Sequence, residues 1–272
     1  MNEYRNFEDS PNARPPFFAG VLDAETLGEI EWCPHGDLAK AAAECSAIEI
    51  RYDLFLSAGF SAESLPKIAA RVLNALPNAL LVGTVRLKRD GGTFPDADSL
   101  SRAEIFRSIL RESVRPDYID IEAEEFVPLE SEIRSVWNRD VDGKIPLLDE
   151  TPGKILVSHH DFQKVPAIGE LERLRACAAE WKCDGFKVAC MSVSDGDFDA
   201  VYPWIKSAAD GNDWRFGLIS CFAMGKTGES SRIRSLEFGA NLTYCSLGKA
   251  VAPGQIPVRE AREAYRKIVL KG

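Results

Sequence analysis

AIEIRYDLF, residues 47–55, is the stretch on which the fold turns. A period of two places Glu49, Arg51 and Asp53 on one face of a strand and Ile48, Ile50 and Tyr52 on the other. Short apolar segments like it recur at residues 17–22, 79–85, 118–121, 154–158, 185–189, 216–220 and 241–245. Between them lie stretches of helical spacing at 37–45, 62–76, 99–113, 130–139, 167–181, 197–209, 230–238 and 258–270, with Asp37, Ser61 and Ser99 as N-caps. Eight strands alternating with eight helices is the count of an α/β protein of the (β/α)8 TIM-barrel class. A doubly wound sheet would leave two or three units without a place. In such a barrel the charged face of residues 49–53 points inward, and sites lie at the C-terminal ends of the strands.

The 272 residues suit a single barrel domain over 17–272 behind a polar extension at 1–16. With 33 Lys plus Arg against 42 Asp plus Glu the formal charge is −9, the wrong sign for nucleic acid. No apolar run approaches the 18 residues of a membrane span, and the first residues lack the basic start and apolar run of a signal peptide. Seven cysteines without paired metal or redox spacing read as reduced thiols. The expected setting is cytoplasmic, without metal or other cofactor, acting on a small molecule.

Polar residues at the strand ends are then the suspects. Glu49 and Arg51 are either site residues or a structural ion pair. Arg86 follows the third strand, and Asp90 precedes two glycines that permit close backbone approach. The fourth strand carries Asp120 and Glu122 two residues apart, and the fifth ends in His159–His160, of which only one can face inward. The sixth is the most informative. Lys187 lies among Phe186, Val188 and Ala189, and a lysine is almost never fully buried unless it is paired or has a purpose. Desolvation favours the neutral amine, which attacks carbonyls to form a Schiff base. After the seventh strand, Gly225-Lys226-Thr227 hints at a phosphate loop, but position 220, which would need glycine, is Ser220. The helix start at Ser230, Ser231 and Arg232 suits a carboxylate instead, through backbone N–H groups and the guanidinium fork. Gln255 is the one distinctive polar side chain in the last Pro/Gly loop.

Together, EIRYD, TVRLKRDGG, DYIDIE, SHHDF, FKVA, GxxGxxSRI and LGKAVAPGQI stand in an order and spacing that resembles type I 3-dehydroquinate dehydratase from about residue 17 onward. The resemblance implies a shikimate-pathway lyase of aromatic amino acid biosynthesis that turns 3-dehydroquinate into 3-dehydroshikimate. It implies Lys187 as the Schiff-base lysine and His160 as the proton shuttle, with Asp90 orienting the histidine. Glu49, Arg51 and Arg86 match polar substrate-site residues, Met224 a pocket-lining methionine, Arg232 the carboxylate-binding arginine and Gln255 the lid-loop glutamine. A homodimer is also implied. Two positions depart from the pattern: Asp90 stands where the family has glutamate, and Val251 where it has serine. These departures keep open a Schiff-base reaction on a different carboxylated cyclic ketone, or a barrel that only binds its ligand.

Overall fold

The computed structural model describes residues 16–125, 153–211, 216–248 and 250–269. The helix expected at 130–139 and nearly all of the polar extension lie outside these residues. Eight parallel strands, β1 (Phe17–Leu22), β2 (Ala47–Arg51), β3 (Leu80–Thr84), β4 (Tyr118–Glu122), β5 (Lys154–Asp161), β6 (Gly185–Met191), β7 (Leu218–Met224) and β8 (Leu242–Cys245), pair in the order β7-β6-β5-β4-β3-β2-β1-β8. This is the expected TIM barrel, nearly closed, with β7 and β8 at its seam.

Strand alternation sorts the apolar residues into two cores. Phe17, Ala19, Val21, Leu80, Val82, Leu156, Leu218 and Leu242 fill the inside, while Phe18, Ile48, Ile50, Leu81, Ile119, Phe186 and Ile219 meet the helices outside. Further along the same strands the inward positions turn polar: Glu49, Thr84, Asp120, Glu122, Ser158, Lys187 and Ser220 are all buried. One end of the barrel is therefore packed hydrocarbon and the other a chamber of charge.

The apolar end is locked by a device that recurs four times. Ser46, Asp117, Asp184 and Asn241 each directly precede an even-numbered strand, and each donates its backbone N–H to the second residue of the preceding odd strand: Phe18, Leu81, Ile155 and Ile219, at 2.8–3.1 Å. That residue's own N–H donates back to the polar side chain, at 2.9, 2.8, 2.9 and 2.7 Å respectively. The four stitches fix strand register in pairs. At the β7–β8 seam the stitch matters most, because Asn241 Nδ2 also donates to Gly217 O at 2.9 Å and no strand ladder joins the two among the described residues.

The helices are α1 (Ala24–Trp32), α2 (Asp37–Ala43), α3 (Tyr52–Ser57), α4 (Ile68–Ala75), α5 (Ser99–Leu110), α6 (Ile168–Glu180), α7 (Val201–Asp210), α8 (Ser231–Glu237) and α9 (Val258–Val269). Sequence patterning misses α1, which buries only Leu27 and Ile30 and is started by Asp23 accepting from Thr26 N. It overextends β2: the strand stops at Arg51, whose guanidinium clamps Asp53 with two 2.8 Å bonds and turns the chain into α3. Residues 62–76 form a 3₁₀ turn (Ala62–Lys67) holding Pro66, then α4. Two caps shift by one residue, to Gly36 and Asp98. None of the seven cysteines forms a disulfide among the described residues, and Cys183, Cys190, Cys221 and Cys245 are buried. No helix among the described residues is long and apolar enough to cross a membrane.

Candidate active site

At the charged end a cavity of about 250 Å³ opens between the strand ends. Its walls include Glu49, Arg51, Arg86, Asp90, His160, Lys187, Met224, Arg232 and Gln255, so every site residue expected from sequence meets in one place; Val251 stands at the rim.

Lys187 comes from the middle of β6, where alternation turns it inward beside Ser158 and Ser220 in register. It is 4% exposed. Its Nζ lies 3.0 Å from Asp120 Oδ2, 3.4 Å from Glu49 Oε1, and 4.2 Å from the centroid of the Tyr244 ring, so the cation sits on two carboxylates and an aromatic face. Burial alone would push the Asp120 carboxyl up, but Arg86 and Lys187 outweigh it and hold it well below the usual carboxylate range. The ion pair expected between Glu49 and Arg51 does not form. Glu49 instead accepts from Thr84 Oγ1 at 2.9 Å, since Arg51 is committed to Asp53.

Arg86, fully enclosed, ties three strands together. It donates to Asp120 at 2.6 Å, Glu122 at 2.8 Å and Ser158 at 2.9 Å. A planar guanidinium with several donors meets this geometry and a lysine does not. Removing one member of a buried ion pair typically costs about 3–5 kcal/mol, because the partner is left charged and dry.

His160 and His159 face opposite ways, as neighbours in a strand must. His159 turns from the cavity to Glu124, Nδ1 to Oε1 2.7 Å; burial lowers its pKa, but the Glu124 bond prevails and raises it. His160 is sealed in the site, where burial first, then the charges of Arg86 and Lys187, depress its pKa well below 6.5. It is therefore a neutral imidazole at pH 7, able to accept a proton. Its Nδ1 is 3.6 Å from Asp90 Oδ1, beyond hydrogen-bond distance, and is buried without a partner. Asp90 is delivered by a tight turn after β3: Gly91 has φ +79°, and a Cβ on Gly92 would stand 2.0 Å from Arg86 O. Burial raises the Asp90 carboxyl, with Arg86, Arg89 and Arg102 opposing.

Arg232, 1% exposed, enters from the first turn of α8. The backbone N–H groups of Ser231 and Arg232 are engaged by Gly228 O and Glu229 O, so the anion binding expected of the helix start falls to the guanidinium. That group lies 4.1 Å from the Phe222 ring centroid and donates to Gly254 O at 2.7 Å and Pro253 O at 3.1 Å, which moors the last loop over the cavity. Burial brings its pKa down to about 10, and no carboxylate pairs with it among the described residues. Gln255 folds onto its own loop, its Oε1 accepting from Val251 N at 2.9 Å.

Sequence patterning noted Asp120 and Glu122 by their two-residue spacing without assigning them to the site, and it missed Thr84, Ser158, Tyr244 and Arg102. Arg102 gives no signal at all, since arginine in the helical run SRAEIFRSIL reads as a solvated side chain.

A family model described as type I 3-dehydroquinase matches residues 35–270. Proteins named 3-dehydroquinate dehydratase from Klebsiella pneumoniae subsp. pneumoniae and Methanococcus vannielii are each 30% identical to the chain. The first aligns over 249 residues, 89% of either chain, and the second over 255 residues, 93% of this chain and 98% of that one. Among solved structures, 3-dehydroquinate dehydratase from Geobacillus kaustophilus superposes with a TM-score of 0.73 at 20% identity, covering 94% of this chain and 91% of the other, a likeness of fold.

Proposed function

Because the chain belongs to the type I 3-dehydroquinase family, we propose that it dehydrates 3-dehydroquinate to 3-dehydroshikimate, with Lys187 as Schiff-base nucleophile and His160 as acid and base. The observation that carries the reading is the single cavity in which a buried lysine, a neutral histidine and an arginine without a carboxylate partner face one another.

In this mechanism Lys187 gives its ammonium proton to neutral His160, the freed amine adds to the substrate ketone, and His160 returns the proton to the carbinolamine hydroxyl, which leaves as water and leaves a protonated imine. The imine draws electrons from the adjacent carbon, so His160 removes a proton there, and the electron pair left behind expels the neighbouring hydroxyl. His160 returns its proton to that hydroxyl, which leaves as water. A second water hydrolyses the imine and frees Lys187. The depressed pKa of His160 suits the abstraction, since the imidazole enters the step unprotonated. Arg232 takes the substrate carboxylate, Glu49, Arg51 and Arg86 its hydroxyl region, Met224 packs the ring, and Gln255 closes the loop above. Asp90 orients His160.

No metal or organic cofactor enters this scheme. The reading includes a cytoplasmic homodimer that binds neither nucleic acid nor membrane; the charge of −9 supports the former exclusion, and gel filtration with light scattering tests the dimer. The 3.6 Å gap at Asp90 and the apolar rim at Val251 favour, as a second reading, a different carboxylated cyclic ketone. The deciding experiment is ultraviolet absorbance of the protein mixed with 3-dehydroquinate, whose dehydration creates a conjugated enone. A rise establishes the reaction. No rise with folded protein rejects it and sends the question to a panel of carboxylated ketones.

A further inference from the structure

We propose that Arg102 is a positioning residue of this site, gripping Arg86 from behind through Glu122 and through the backbone of Val85. Arg102 lies on α5, outside the ring of strands, yet it is completely buried. A helix of the outer layer ordinarily meets the barrel with hydrocarbon, and α5 does so with Phe106 and Ile109. A guanidinium in such a place demands full pairing.

Its pairing leads to the site. Arg102 Nη2 donates to Glu122 Oε2, and Nε donates to Val85 O at 2.9 Å, while the guanidinium lies 5.6 Å from the Phe106 ring centroid. The other oxygen of Glu122 accepts from Arg86 Nη1 at 2.8 Å. Val85 is the residue before Arg86. Arg102 therefore fixes Arg86 twice, by the side-chain partner and by the adjoining peptide. Neither Arg102 nor Glu122 lines the cavity, whereas Arg86 does.

Charge balance points the same way. Four buried carboxylates, Glu49, Asp90, Asp120 and Glu122, crowd Arg86 and Lys187, and Arg102 supplies a third cation. Without it Glu122 has a single cationic partner and a bare inner oxygen. It then draws Arg86 out of its place between Asp120 and Ser158. The same positive charge also acts on Asp90.

This inference rests on the dehydration reading, and turnover by the unmodified chain tests that reading separately. The test of Arg102 is a double-mutant cycle of R102M and E122Q, with R102K as the milder variant, folding being followed by circular dichroism and melting. We expect R102M to lower kcat/KM about tenfold or more in folded protein, and by a clearly smaller factor once E122Q is present, the remainder being the loss of the Val85 O contact. R102K keeps the charge but has no fork to reach both Glu122 and Val85 O, so it falls between. Losses from R102M and E122Q that simply multiply, or a fall in melting temperature with kcat/KM unchanged in both R102M and R102K, overturn the proposal. A crystal structure of either Arg102 variant gives a readout independent of turnover: a displaced Arg86 supports the proposal, and an unmoved one rejects it.

Discussion

The floor of the cavity and the loop above it are held by opposite means. On the floor Lys187, Glu49, Arg86 and Asp120 are at most 4% exposed and bind one another at 2.6–3.4 Å, except that Arg86 stands 3.9 Å from Glu49, which also accepts from Thr84 at 2.9 Å. Every one sits on or just beyond a strand, so the barrel sets their positions before any ligand arrives. The upper loop has no such frame. Val251 is 44% exposed, Gln255 bonds only within its loop, and Pro253 and Gly254 hang from Arg232, the group proposed to meet the substrate carboxylate. A ligand therefore finds a finished floor and a loop whose mooring it must share. The two departures from the family pattern divide between these regions: Asp90 belongs to the floor and Val251 to the loop.

Substitutions should rank accordingly. On the floor, Lys187→Ala removes the nucleophile itself; turnover of 3-dehydroquinate should drop by at least about a thousandfold, and borohydride should trap no adduct by mass spectrometry. An adduct that survives in that variant displaces Lys187 from the mechanism. His160→Ala should still form the trapped imine yet turn over roughly 10²–10⁴-fold more slowly. In the unmodified enzyme the pH profile should follow the same imidazole. Its folded pKa is depressed, so activity stays level as pH falls to 6.5 and is lost only below that, as the base takes up a proton. An acid limb centred above 6.5 contradicts the assignment.

The next effect is smaller and of opposite sign. Asp90→Glu lengthens the side chain by one carbon–carbon bond, enough to close a 3.6 Å gap to hydrogen-bond distance, and should raise kcat by up to about tenfold. A fall would mean that the short carboxylate is adapted to a different ligand. Least of all, Val251→Ser adds a hydroxyl at an exposed rim and should lower KM by less than about fivefold, the value of one ordinary hydrogen bond. If it outweighs Asp90→Glu, the loop rather than the floor governs the substrate.

Legibility in the sequence divides along the same line. Strands β1 to β8 are legible as short apolar segments, and the period of two turns Glu49 inward, whereas Arg86 is marked by its place after the third strand and Lys187 by its apolar neighbours. Alternation along the strand lets only one of His159 and His160 face inward, and the resemblance selects His160. What resists sequence reading depends on partners far along the chain. Thr84 and Ser158 acquire meaning from Glu49, Asp120 and Arg86, and Arg102 looks solvated until α5 is laid against the barrel. The turn at Arg51 was hidden because Arg51 and Asp53 suit an inward strand face and a two-residue clamp equally well.

The stitches at the apolar end have a consequence for how the molecule comes together. Each joins an odd strand to the even one that follows, across a single connection, so the barrel divides into four quarter-units that can set their register from near neighbours before the ring exists. Three of these quarters also have ladders to hold them. The last, which has no ladder among the described residues, relies on Asn241, so that one side chain carries at the seam what a row of backbone bonds carries elsewhere.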